Sequence, residues 1–156
     1  MSIPENDFRK IMGRFTTGVA IVTTQFQGKP VGVTINTLTS VSLKPPLVLF
    51  CLGKNRVVFP AIFESTHYAI HILSSQQEHL CRAFSRPSDD PWKDLSYEIS
   101  HMGCPLLINS LGILHCRREE TYSGGDHLIF LNYVEAIQED HKEIGNPLVY
   151  FQGSFR

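Results

Sequence analysis

The four cysteines, Cys51, Cys81, Cys104 and Cys116, form no C-x-x-C pair, so the chain lacks the spacing of a zinc knuckle or of a small disulfide scaffold. Also missing are G-x-G-x-x-G after a strand and G-x-x-x-x-G-K-[ST], which removes the Rossmann and P-loop ways of holding a nucleotide. There is no G-x-S-x-G elbow, so a serine hydrolase has no support. Basic excess is lacking: 14 Lys and Arg stand against 15 Asp and Glu, a formal charge of -1. Without a basic block to neutralise phosphates, nucleic acid is not an expected partner. No run approaches the roughly 18 to 20 apolar residues of a spanning helix, and Met1 to Lys10 is charged without an apolar signal core. The expectation is a cytoplasmic chain with reduced thiols and no membrane contact.

What is there suits one soluble domain over residues 1–156, with 42% hydrophobic and 19% charged residues, too apolar for disorder. Phe8, Ile11, Met12 and Phe15 recur at helical spacing, with Gly18 as the expected C-cap. Val19 to Phe26 and Pro30 to Ile35 flank Gln27-Gly28-Lys29 and read as a hairpin. Leu47 to Leu52, an unbroken apolar run after Pro45-Pro46, predicts a strand buried on both faces. Val57 to Glu64 predicts a short helix with Pro60 in its first turn, and Tyr68 to Leu73 a strand. Ser75 with Glu78 makes a capping box opening a helix to Phe84, and Arg86 to Asp94 reads as a loop. Leu111 to Tyr122 and Leu128 to Gln138 predict a long hairpin around Ser123-Gly124-Gly125-Asp126, and Pro147 to Phe155 a last strand. Short strands without regular βα alternation predict a mainly β, antiparallel barrel with peripheral helices.

Three places carry possible chemistry. Asn36 to Leu43 is dense in hydroxyls, Thr37, Thr39, Ser40 and Ser42, which can hydrogen-bond a phosphate or a heterocycle edge, or simply cap the strands as ST turns. Gly124-Gly125-Asp126-His127 puts an imidazole at a hairpin mouth where glycine lets the backbone approach a ligand, although a turn histidine is also often idle. Ser85-Arg86 ends a helix with groups suited to phosphate, or with an arginine that only faces the helix dipole. Cys51 reads as a small buried hydrophobe and Tyr150 as core with a lesser stacking role. His67 and His71 share a strand face about 13 Å apart, too far for one metal ion, and no metal is expected.

Taken in order, the segments resemble the short-chain flavin reductase family. The likeness runs through Phe8-Arg9-Lys10-Ile11-Met12-Gly13-Arg14-Phe15-Thr16-Thr17-Gly18-Val19, then Thr39-Ser40-Val41-Ser42-Leu43-Lys44-Pro45-Pro46-Leu47-Val48, then Gln77, Leu80 and Phe84, Gly125-Asp126-His127, and Tyr150-Phe151-Gln152-Gly153-Ser154-Phe155-Arg156. The resemblance implies a homodimeric, FMN-binding type split β-barrel of Greek-key form. It also implies hydride transfer from NADH or NADPH to FMN or FAD, with a flavin-dependent monooxygenase component as partner. A flavin-binding electron carrier and a ferric reductase without a dedicated oxygenase are the alternatives it leaves. By the same likeness Asn36, Thr37, Thr39, Ser40, Val41 and Ser42 hold the flavin, Cys51 lies beside its ring, and Asn55, Ser85 and Arg86 lie near phosphate. His127 meets the nicotinamide, and Tyr150 and Arg156 complete the set. Asn55-Arg56, Asn132 and Phe155 depart from the common pattern and leave FMN or FAD open.

Overall fold

The computed structural model describes residues 2–86, 90–139 and 145–156. The order is α1 (Glu5–Met12), β1 (Thr17–Gly18), β2 (Ala20–Phe26), β3 (Lys29–Ile35), β4 (Thr39–Leu43), β5 (Pro46–Gly53), α2 (Phe59–Glu64) and β6 (His67–Ile72). A 3₁₀ turn (Ser75–Gln77) then leads to α3 (Glu78–Ser85), β7 (Tyr97–Ile99), β8 (Pro105–Leu107), β9 (Gly112–Gly124), β10 (His127–Glu139), β11 (Val149–Phe151) and β12 (Ser154–Phe155). Seven strands pair antiparallel in the order β3-β2-β6-β9-β10-β5-β4, and β3 also approaches β5, which curls the sheet into a split barrel.

The hairpins follow from their turn residues. Gln27 and Gly28 both have positive φ, 50° and 75°, the two-residue geometry whose twist suits adjoining strands, and Phe26 pairs with Lys29. At the other long hairpin Gly124 pairs with His127 across Gly125, whose φ is 71°. Inside the barrel Phe50 and Phe130 stack with centroids 4.9 Å apart, and Tyr68 meets Phe50 edge-on at 5.7 Å. The Tyr68 hydroxyl sits 2.7 and 2.8 Å from the Ile62 and Ser65 carbonyls and so closes the end of α2. Burial pushes its pKa up to about 12, against the lowering effect of Arg118.

Several expectations need correction. The helix ends at Met12, with Gly13 capping it through the Arg9 and Ile11 carbonyls, while Gly18 lies in β1. Thr17 pairs with Tyr150 there, so β pairing competes with one more helical turn. Leu47 to Leu52 is covered on one face only: Val48, Phe50 and Leu52 are buried, whereas Leu47, Leu49 and Cys51 are half-buried. The strands enclosed on both faces are β2 and β6; in β2, Ala20 and Val22 fill the barrel and Ile21 packs beneath α3, Leu107 and Leu148. Periodicity within one strand does not reveal what covers its second face. Five of the eight residues of the hydroxyl segment, Thr39 to Leu43, form the edge strand β4. The capping box is formed by Ser74 and Gln77, one residue earlier than read. Pro147 to Phe155 folds back at Gln152-Gly153, both of positive φ, so β11 and β12 form a small hairpin. The short pair β7–β8 adds two strands to those the sequence predicts. Of the Arg86 to Asp94 loop, residues 87–89 lie outside the described residues.

Candidate functional site

Register decides which predicted residues share a face. Thr39 pairs with Leu49, Cys51 with Ile129 and Gly53 with His127. Residues two apart in a strand point the same way, so Thr39, Cys51 and His127 lie along the outward face of β4, β5 and β10. A register shift between Ser40 and Ser42 leaves Val41 as the extra residue of a bulge in the edge strand. Ser40 and Val41 are exposed and Ser42 half-buried.

Thr37 anchors this face from the side. Its hydroxyl accepts the Cys51 N–H at 3.0 Å and donates to the Cys51 carbonyl at 2.9 Å. One side chain thus closes a backbone position on β5, and the hydroxyl is committed to positioning. Burial pushes the Cys51 thiol pKa up, so it stays a protonated neighbour rather than a nucleophile.

At the hairpin mouth His127 Nδ1 donates to Asp126 Oδ1 at 2.7 Å. This bond, then the charge of His127, holds the Asp126 carboxyl below its ordinary range. Lys54 fixes the same turn, its Nζ donating to the Gly125 carbonyl at 2.7 Å and its N–H to the Asp126 carbonyl at 2.9 Å. A Cβ on Gly53 would lie 3.0 Å from Asn55 Oδ1 and 3.6 Å from His127 Nε2. Glycine there leaves a small cradle with the amide and the imidazole on its rim. Arg56 donates to the Ser85 carbonyl at 3.2 Å and draws the end of α3 toward this turn. The Ser85 hydroxyl itself donates to the Cys81 carbonyl at 2.6 Å, and Arg86 is exposed.

A cleft of about 1310 Å³ opens between α1, β1 and the segment entering β4, and Asn36, Thr37, Thr39 and Tyr150 line it. The structure therefore divides the predicted residues into two neighbouring groups. Asn36, Thr37, Thr39 and Tyr150 edge the cleft, while Asn55, Ser85 and His127 belong with the Gly53 turn, Arg86 follows Ser85 as an exposed residue, and Cys51 lies on β5 between Thr37 and Ile129. Arg156 exchanges two backbone hydrogen bonds with Val149, and its exposed side chain does not line the cleft. Sequence reasoning missed Arg56 and Lys54 as positioning groups, though Gly53-Lys54-Asn55-Arg56 has the composition of a turn. It also missed Thr17, whose buried Oγ1 has no partner in the cleft wall. That orphaned atom and the open space around Gly18 suit a polar ring or chain lying against β1.

The flavin reductase like domain family matches residues 12–156. The chain belongs to the flavin reductase-like family. FMN reductase (NADH) SmoA of Agrobacterium fabrum is 40% identical to it, over 95% of this chain and 83% of that protein. The reductase component of 4-nitrophenol 4-monooxygenase/4-nitrocatechol 2-monooxygenase from Rhodococcus opacus is 37% identical, over 96% of this chain and 78% of its own length. Among solved structures, the NADH:FAD oxidoreductase SgcE6 of Streptomyces globisporus, in complex with NAD and FAD fragments, superposes with a TM-score of 0.90. It is 32% identical and is covered over 95% of its length by 100% of this chain. This flavin reductase-like chain is accordingly an oxidoreductase, and its split barrel is the fold of the family.

Proposed function

We propose that residues 1–156 act as one flavin reductase domain that passes a hydride from NADH or NADPH to FMN or FAD. The observation that carries this reading is the single outward face of β4, β5 and β10 along which Thr39, Cys51 and His127 lie. The flavin, when bound, supplies the two-electron acceptor for the nicotinamide's hydride. Asn36, Thr39 and the β4 backbone would hold its polar edge and oppose the negative charge that builds there. Thr37 keeps β5 in register beside them. Asn55 and Arg86 suit the phosphate-bearing part, with Arg56 setting the distance between their two elements. Asp126 keeps the His127 proton on Nδ1, which leaves Nε2 directed to the Gly53 cradle as a contact for the nicotinamide carboxamide. Hydride transfer needs no protein acid, so the protein's contribution is positioning.

Two exposed apolar surfaces support a homodimer: α1 and the bend after it, with Phe8 59% and Phe15 70% exposed, and β4, with Leu43 85% exposed. Tyr150 and the cleft lie beside the first, so a second copy seated there would cover the cleft. The names of the relatives support a flavin-dependent monooxygenase as recipient of the reduced flavin. Free thiols at all four cysteines support a cytoplasmic location, and no helix among the described residues is long and apolar enough to cross a membrane.

The test is anaerobic mixing with each flavin and each nicotinamide while following nicotinamide absorbance and flavin bleaching together. Catalytic turnover of excess free flavin is the expected outcome, and flavin binding without nicotinamide oxidation would transfer the proposal to an electron carrier. In His127→Ala the expected change is a rise of about tenfold or more in KM for the nicotinamide, with flavin affinity retained. An unchanged KM and kcat would remove His127 from the site.

A further inference from the structure

On the far side of the barrel the segment from Ser100 to Leu107 lies over the outward face of β2, β6 and β9. Two hydrogen bonds pin it: Thr23 donates to the Pro105 carbonyl at 2.6 Å and the Leu107 N–H donates to His71 Nε2 at 3.1 Å. The His101 ring also lies beside His115. His115 is 5% exposed and its Nδ1 has no hydrogen-bond partner. A buried nitrogen left without a partner is unfavourable unless something occupies it.

A second imidazole, that of His101, lies beside it. The His101 and His115 centroids are 5.5 Å apart with the rings inclined at 41°, too far for close stacking. Two imidazoles on one tetrahedral cation, with metal–nitrogen distances of about 2.0 Å, have centroids about 5 Å apart. His101 is exposed, so remaining positions on such a cation would open to water. Among the described residues no group of three or more His, Cys, Asp or Glu is gathered to hold a metal, which restricts the protein's share to these two nitrogens.

We propose that His101 and His115 form a two-imidazole site for a borderline first-row divalent cation, Zn²⁺ or Cu²⁺, that ties the 100–107 segment to β9. Burial, then the neighbouring His101, pushes the His115 pKa below the ordinary imidazole value, with Gln138 opposing. The site is remote from the proposed flavin edge: nine residues of β9 separate His115 from Gly124, about 30 Å of strand. A cation here acts on the stability of the outer segment and not on hydride transfer.

The experiment titrates the full-length protein with Cu²⁺, read by electron paramagnetic resonance, and with Zn²⁺, read by the thermal midpoint. The expected result is one copper per chain with nitrogen hyperfine splitting, and a midpoint that rises with zinc because only the folded chain holds both ligands. His101→Ala, at an exposed position, should retain the fold and flavin reduction while weakening copper affinity about tenfold or more and abolishing the zinc shift. His101→Gln serves as the second variant and should lose the same responses. Copper bound with equal affinity by the wild type and both variants would place it at other histidines and overturn the proposal. So would the absence of any zinc effect on the wild-type midpoint.

Discussion

The two flanks of the barrel are made from one sheet but finished differently. On the β2–β6 flank both faces are enclosed: Ile21, Val22, Ala69, Ile70 and His71 are all 0% exposed, between the aromatic interior and an outer layer of α3, β7 and β8. On the β5–β10 flank the interior face is equally closed, with Phe50 and Phe130 fully buried, yet Leu47, Leu49, Cys51, Ile129 and Leu131 face outward half-buried. The closed flank holds buried polar groups that serve only the fold, such as Thr23 and His71. The open flank carries the residues proposed to serve chemistry. Completing a surface fixes it, whereas leaving an apolar face partly open reserves it for a second copy or a flat ligand.

The strongest challenge to this contrast is the core both flanks share. Phe130→Ala removes the ring stacked on Phe50, and about 3–5 kcal/mol of stability is expected to go with it by urea unfolding. Next is His71, buried between the Ile21 carbonyl and the Leu107 N–H at 3.0 and 3.1 Å. Burial is the main cause that lowers its pKa from 6.5 to about 4, with the Ile21 bond opposing and His115 assisting. The folded chain therefore resists protonation that the unfolded chain accepts. His71's contribution is complete above pH 6.5, falls as pH drops toward about 4, and levels off below. Its size is on the order of 3 kcal/mol. The fall in urea midpoint across that window should be shallower in His71→Gln than in the wild type, and equal slopes would show that His71 is not the group responsible.

A smaller effect tests how tightly the outer layer fits. A Cβ on Gly32 would come within 2.6 Å of Phe84 Cε1 and 3.1 Å of Trp92 Cζ2. Gly32→Val should displace α3 at a cost of about 1–3 kcal/mol, and the single tryptophan offers the readout, since Trp92 stacks edge-on to Phe84 at 4.9 Å. The smallest effect belongs to the open flank. Leu43→Glu, at an 85% exposed edge position, should alter stability of the isolated chain by less than about 0.5 kcal/mol. In sedimentation the same variant should shift the protein toward monomer, and an unchanged dimer would exclude β4 from the interface.

Much of the element order was legible because each signal was local. The Gln27-Gly28 turn, Pro60 at the start of α2 and the glycine-rich tip before His127 each restrict the backbone within a few residues. The pair β7–β8 was illegible because its three-residue strands carry no period, and their place is fixed by Thr23 and His71, distant in sequence. Of the candidate site, the hydroxyl segment and His127 stood out by composition and turn chemistry. Arg56 and Lys54 did not, since their partners, the Ser85 and Gly125 carbonyls, lie 29 and 71 residues away.

By itself the sequence determined where strands begin and turn, because φ preferences and side-chain alternation act over neighbouring residues. Only the tertiary structure decided which face of each strand is covered. Leu47 to Leu52 and Val19 to Phe26 are similar apolar runs, yet α3 and the 100–107 segment cover the second and not the first. That difference also decides that Thr39, Cys51 and His127 face the same way, since strand register and parity emerge only when β4, β5 and β10 pair.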